Sequence, residues 1–146
     1  LVKKIISCRK MEATKQISKK LRVPLGRQVY EYVLLRKIDD IPCILETTYI
    51  DCERFPDFDK YYNEKNSMGR VVKNIYHKKQ VAGEERISVT YASEHEAEFL
   101  EVPSETPLFF TSGIIEDEEG IVVMYYKQLL RGDKFKFVSR IDNEQS

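Results

Sequence analysis

Two β-rich runs, Val29–Ile38 and Pro42–Ile50, flank the turn-forming pair Asp39-Asp40. Segments of this composition and spacing form an antiparallel hairpin, and the rest of the chain must be arranged around the sheet it begins. Side chains alternate along a strand. Tyr30, Tyr32, Leu34, Arg36 and Ile38 therefore share one face, and Ile44, Glu46, Thr48 and Ile50 share a face of the second run. A three-residue loop of Asp39, Asp40 and Ile41 sets Ile38 opposite Pro42, Leu34 opposite Glu46 and Arg36 opposite Ile44. Arg36 and Glu46 then become diagonal neighbours, roughly 7–8 Å apart at the backbone. A slip of one residue would send Glu46 to the other face. The pair is either an ordinary cross-strand ion pair or a set of ligand groups, and the hairpin alone does not choose between them.

The other segments supply partners for that sheet. Val2–Cys8 reads as a short strand. Glu12–Leu21 reads as a helix, with Ala13, Ile17 and Leu21 on one stripe, and Val23-Pro24-Leu25-Gly26 ends it. Asp51–Asp59 is a connection. A second helix is predicted over Ser67–Lys78, because Met68, Val71, Val72, Ile75 and Tyr76 have the spacing of a buried stripe. Ser67 is its N-cap. Glu84–Ala92 is a strand with Ile87, Val89 and Tyr91 alternating. Ser93–Leu100 is a short helix opened by a capping box, Ser93 and Glu96. Pro107–Ile115 and Ile121–Leu130 form another hairpin around the Glu116–Gly120 loop. After the turn Arg131-Gly132-Asp133, Lys134–Ile141 is a last strand and Asp142–Ser146 a frayed tail. The fold class is α+β, a mainly antiparallel sheet with packed helices, in one domain spanning residues 1–146.

A chain of 146 residues with 42% hydrophobic and 33% charged residues suits one soluble globular domain. No apolar run approaches the ~20 residues of a membrane span. The leading residues do not form a signal peptide, and the lack of an initiator Met indicates a piece of a longer protein. Cys8, Cys43 and Cys52 lack metal-ligand spacing, so we expect three reduced thiols in a cytoplasmic protein. The net charge is zero but uneven. Residues 1–28 carry nine Lys or Arg and one acid, a segment suited to lying beside nucleic acid or to forming a solvated helix face.

No phosphate loop, dinucleotide fingerprint, HExxH, nucleophile elbow or CxxC is present. We expect no metal, no cofactor and no catalytic set. Arg131-Gly132-Asp133 is turn chemistry, and the nine Tyr and seven Phe fall at strand spacing, which fits core packing.

Several stretches taken in order resemble a known family. They are Leu21-Arg22-Val23-Pro24-Leu25-Gly26, the hairpin from Leu35 to Ile50, Arg54-Phe55-Pro56, and Ala97-Glu98-Phe99-Leu100-Glu101-Val102-Pro103. The Gly120 hairpin and Arg131–Phe137 complete the set. Together they resemble the UTRA domain, the effector-binding half of the HutC-like branch of GntR bacterial transcription regulators. The resemblance implies a chorismate-lyase-like fold, a pocket for a small and often phosphorylated metabolite, and a homodimer. It also implies DNA contact only through an N-terminal winged-helix domain absent from this chain, and no membrane partner.

The resemblance also implies site residues. Arg36 matches the second of two hairpin arginines, and Leu34 stands where the first would be. Glu46 matches a sugar-contacting Glu. Ser67 matches a helix-start Ser that helps hold phosphate, a role suited to the free N–H groups of a helix N-terminus. A Glu and a Tyr of the family fall on Met124 and Leu130, so the last strand would present Met124, Tyr126, Gln128 and Leu130. The expected pocket is more apolar than an amino-sugar phosphate site, with Arg36 and Ser67 for one anionic group. A ligand-sensing repressor module is the expected function. An enzyme of the same fold and a dimerisation module without ligand are the alternatives.

Overall fold

The computed structural model describes residues 2–135. The described chain runs β1 (Val2–Glu12), α1 (Lys15–Leu21), β2 (Gln28–Ile38), β3 (Ile41–Asp51), α2 (Phe58–Tyr61), α3 (Met68–Asn74), β4 (Gln80–Tyr91), α4 (Glu94–Leu100), β5 (Pro107–Asp117) and β6 (Val122–Arg131). The strands form one six-stranded sheet in the order β1-β2-β3-β6-β5-β4, and every neighbouring pair is antiparallel. The α+β architecture is as expected.

The central hairpin has the expected register by an unexpected route. Leu34 pairs with Glu46 and Arg36 with Ile44, but Ile38 faces Ile41 rather than Pro42. The turn contains only Asp39 and Asp40, both at positive φ (50° and 64°), the conformation of a two-residue hairpin turn. A bulge restores the count. Lys37 pairs with Pro42 and Arg36 with Ile44, which leaves Cys43 as the extra residue.

The alternation loads both faces of the sheet. On one, α2 and α3 pack over Tyr30, Tyr32, Leu34, Ile50 and Met124. Tyr32 stands edge-on to Phe58 and Tyr62, with ring centroids 5.9 and 5.1 Å apart. On the other, α1 covers Val29, Tyr49 and Tyr125, and α4 covers Leu35, Leu45 and Leu108. The helices therefore lie in two layers around a central sheet.

Several boundaries differ from the sequence expectations. The first helix begins at Lys15, because β1 continues to Glu12 and Thr14 supplies the cap by accepting from the Ile17 N–H. The helix expected over Ser67–Lys78 is the two-turn α3. His77 takes a left-handed φ of 56°, the Lys78 N–H returns to the Val72 carbonyl, and Ile75 is exposed. The single turn α2 begins at the end of Asp51–Asp59, the stretch expected to be a connection, and continues beyond it to Tyr61. The capping box at Ser93 and Glu96 is present. Ile87, Val89 and Tyr91 alternate as expected, but β4 is an edge strand and they are 50%, 62% and 67% exposed. Beyond Phe135, the predicted last strand and tail lie outside the described residues. All three cysteines are free, and among the described residues no helix is long and apolar enough to cross a membrane.

Phe58 is fully buried between Tyr32, Tyr62 and Tyr76. Phe58→Ala should lower unfolding stability by about 3–5 kcal/mol, read as a lower urea midpoint at an unchanged slope.

Candidate functional site

On the face covered by α2 and α3, the sheet and the segment joining those helices enclose an open cavity of about 640 Å³. Its floor comes from Arg36 of β2, Glu46 and Thr48 of β3, and Met124, Tyr126 and Gln128 of β6. The period-2 alternation requires this, since Thr48 pairs with Tyr126 and Glu46 with Gln128 across the strands. Tyr62, Asn66 and Ser67 form the wall under the helices. Lys3 of β1 and Glu85 of β4 stand at opposite ends.

Glu46 is the centre of the floor. It is 6% exposed, so its carboxylate has exchanged water for protein donors. Gln128 Nε2 donates to Oε1 at 2.6 Å, and Thr48 Oγ1 and Arg36 Nη2 donate to Oε2 at 3.0 and 3.4 Å. The Thr111 hydroxyl donates to Gln128 Oε1 at 3.0 Å and thereby fixes which way the amide points. The Arg36–Glu46 contact is long, and it is the only hydrogen bond of the guanidinium among the described residues. Most of its five N–H donors remain for another partner.

Lys3 pairs directly across the strands with Arg36. Its Nζ donates to the carbonyls of Asn63, at 3.0 Å, and Asn66, and lies 4.2 Å from the Tyr62 ring centroid. Burial and the neighbouring Arg36 hold its pKa below the usual lysine value. Burial pushes the Tyr62 phenol up to about 12, and its hydroxyl has no hydrogen-bond partner among the described residues. At the far end the Tyr126 hydroxyl donates to Glu85, and burial and that bond raise its pKa. Tyr126 reaches Glu85 across Gly113 of β5, where a Cβ would come 2.5 Å from the Tyr126 hydroxyl and 2.9 Å from the Glu84 carbonyl oxygen.

Six of the eight residues singled out from sequence line this cavity: Arg36, Glu46, Ser67, Met124, Tyr126 and Gln128. Leu34 and Leu130 do not. Leu34 is fully buried beneath the aromatic cluster, and Leu130 packs with Cys43 and Ile44 farther along the sheet. Alternation fixes the face of a residue but not whether a helix covers it. Ser67 does cap α3, with its Oγ accepting from the Arg70 N–H at 3.2 Å. The helix is shorter than expected, which weakens the dipole argument for an anion there. Lys3, Thr48, Tyr62 and Glu85 were not singled out. For Thr48 a signal existed, since it alternates with Glu46 on the hairpin. Among the described residues no cluster of three His, Cys, Asp or Glu side chains is arranged to hold a metal ion.

Comparison with known proteins adds a family model, the UTRA domain, which matches residues 1–136. A "probable fructoselysine utilization operon transcriptional repressor" from Escherichia coli K12 is 25% identical over 126 residues, 86% of this chain and 51% of that protein. The chain thus spans about half the length of the curated relatives it matches. Among solved structures, the ligand-binding domain of a putative GntR-family transcriptional regulator from Bordetella bronchiseptica aligns with a TM-score of 0.89 at 16% identity. That alignment covers 96% of this chain and 91% of that one. The effector domain of PhnF from Mycobacterium smegmatis aligns with a TM-score of 0.87 at 19% identity, covering 97% and 86%.

The contact over Gly113 gives a test of the cavity's far end. Gly113→Ala should destabilise the fold by about 1–3 kcal/mol, because the Glu84 backbone must give way. Tyr126→Phe, which removes only the hydroxyl, should cost about 1 kcal/mol or less, both by thermal unfolding.

Proposed function

This chain belongs to the UTRA domain family, and on that footing we propose that it is the effector-binding module of a GntR-family transcription regulator. In this proposal it is a cytoplasmic, HutC-like repressor module whose effector is a small anionic metabolite, a sugar phosphate or a compound of similar chemistry. Operator contact belongs to a winged-helix domain outside this chain. The observation that carries the proposal is the buried, triply hydrogen-bonded Glu46 beside an under-partnered Arg36 on the floor of a 640 Å³ cavity. Such a floor offers a planar cation for an anionic group and a fixed carboxylate for hydroxyls or an amine. The name of the Escherichia coli relative, a probable repressor of a fructoselysine utilization operon, supports the regulatory role. No catalytic step is assigned to the cavity: Glu46 is committed to neighbouring donors, and the relatives the chain matches are transcription regulators.

A ligand acts on such a module only by binding two conformations unequally. Binding to the folded state also stabilises it, by about 2.7 kcal/mol at a hundredfold excess over Kd. For a chain of this size that raises Tm by roughly 5–10 °C. A library of sugar phosphates, organic acids and amino-acid derivatives should contain a compound with that effect. Arg36→Ala should weaken its binding about tenfold or more, the loss of a charged hydrogen bond. If no compound in the library shifts Tm, the sensor role is wrong.

We further propose a homodimer built on β4. This edge strand presents Ile87, Val89 and Tyr91 in one exposed row. A two-fold axis through Val89 would set Ile87 opposite the second copy's Tyr91, so the row complements itself. Sedimentation equilibrium should give twice the chain mass, and Val89→Lys should reduce it to the monomer. A dimer unchanged by Val89→Lys would place the interface elsewhere.

A further inference from the structure

Lys3 and Arg36 occupy directly opposed positions on β1 and β2, and both side chains line the cavity. Like charges placed directly opposite each other across two strands destabilise the sheet. Glu46 and Glu64 of the same lining offset this only in part, from beyond ion-pair distance of Lys3. Among the described residues Lys3 has no carboxylate within ion-pair distance, and its neutral carbonyl partners carry no compensating charge. The single carboxylate near Arg36 already accepts from Thr48 and Gln128.

The carbonyls do, however, fix the ammonium. Asn63 and Asn66 belong to a turn braced from within. The Asn63 N–H donates to Asn66 Oδ1 at 3.0 Å, the Lys65 N–H to Asn63 Oδ1 at 2.8 Å, and Asn66 Nδ2 to the Tyr61 carbonyl at 2.7 Å. A lysine ammonium has three donors, and two are used here. One N–H and the full charge remain at the cavity wall, beside the unused N–H groups of Arg36. A cation held in place before binding loses little freedom when a ligand arrives.

We propose that Lys3 is a specificity-determining residue of this cavity: with Arg36 it forms a two-cation cradle for the anionic group of the ligand, held ready by the Asn63–Asn66 turn. The proposal rests on the sensor role above and adds a second strand to the anion site. The cross-strand repulsion between the two cations is relieved when an anion lies between them.

The test uses inorganic phosphate as the probe, titrated at constant ionic strength and followed by Tm and by calorimetry. Wild type should bind phosphate. Lys3→Gln keeps donors for the two carbonyls but loses the charge, and should weaken phosphate binding about tenfold or more. Lys3→Arg should restore binding to within about threefold of wild type. Lys3→Met should rank with Lys3→Gln and serves should the latter fold poorly. Lys4→Gln, on the adjacent exposed position, should bind as wild type does.

A second readout separates this role from a structural one. Without phosphate, Lys3→Gln should be as stable as wild type or more so, since it removes the opposed charge. A merely structural lysine would give a lower Tm. Phosphate binding unchanged in Lys3→Gln and Lys3→Met overturns the cradle while the sensor role stands. The same holds if wild type ignores phosphate but responds to a library compound. Wild type that responds to neither phosphate nor library overturns both.

Discussion

A carboxylate removed from water costs several kcal/mol unless donors replace its hydration, and Glu46 is buried at the middle of the sheet. Its donors come from three strands: Thr48 on β3 itself, Gln128 on β6 and Arg36 on β2. One anion therefore ties three strands in register. A one-residue slip of β2 or β6 would carry Arg36 or Gln128 to the other face and take one of the three donors from the buried charge. The requirement reaches β5 as well, because Thr111 holds the Gln128 carbonyl and so turns the amide N–H toward Glu46. Sheet register and cavity floor are the same constraint seen from two sides.

That floor is polarised along the sheet. The cations Lys3 and Arg36 stand on β1 and β2, Glu46 is central, and Glu85 closes the β4 end. At about 4.8 Å per strand, Arg36 and Glu85 are separated by roughly 19 Å of floor. Gly113 supplies the missing side chain over which Tyr126 lies to reach Glu85. In the proposed sensor, an anionic group goes to the β1–β2 end and hydroxyls or an amine to Glu46. The Tyr126 ring sets the length available beyond them.

Much of this was legible in the chain because period-2 alternation is a local property. It brought Arg36 and Glu46 to one face of the hairpin, whereas the choice of the Met124, Tyr126 and Gln128 face of the last long strand came from the family resemblance. The Arg36–Glu46 register was right although the loop was wrong, since the two-residue turn and the Cys43 bulge offset each other. A bulge leaves no clear mark in sequence, and its effect emerges only from the pairing. Lys3 was out of reach for a different reason. The connection from β1 to β2 passes through α1, so no hairpin geometry fixes their register, and the Lys3–Arg36 opposition is a tertiary fact. Leu34 and Leu130 show the converse limit, with the right face but under a helix or beyond its edge. The helix period overestimated α3 because His77 ends it in a left-handed conformation that asparagine or glycine would have advertised.

The cover over the cavity is attached unequally, and this bears on how a ligand would be felt. The aromatic cluster of Phe55, Phe58, Tyr62 and Tyr76 anchors α2 and α3 to the sheet through close ring contacts. The turn between the helices has no such anchor. It is held to β1 by the Lys3 ammonium on two carbonyls and by Glu64, whose carboxylate accepts from the Ile5 N–H at 2.8 Å. Polar contacts at an exposed edge strand contribute about 1 kcal/mol each, far less than the buried rings. An anion on the remaining N–H of Lys3 therefore bears on the weakest attachment of the cover and on β1 together. A ligand reaching only Glu46 and Tyr126 would leave that attachment untouched. In the proposed sensor, occupancy and response are then separable properties: the centre of the floor sets how tightly a metabolite binds, and the β1 end sets whether its binding moves anything.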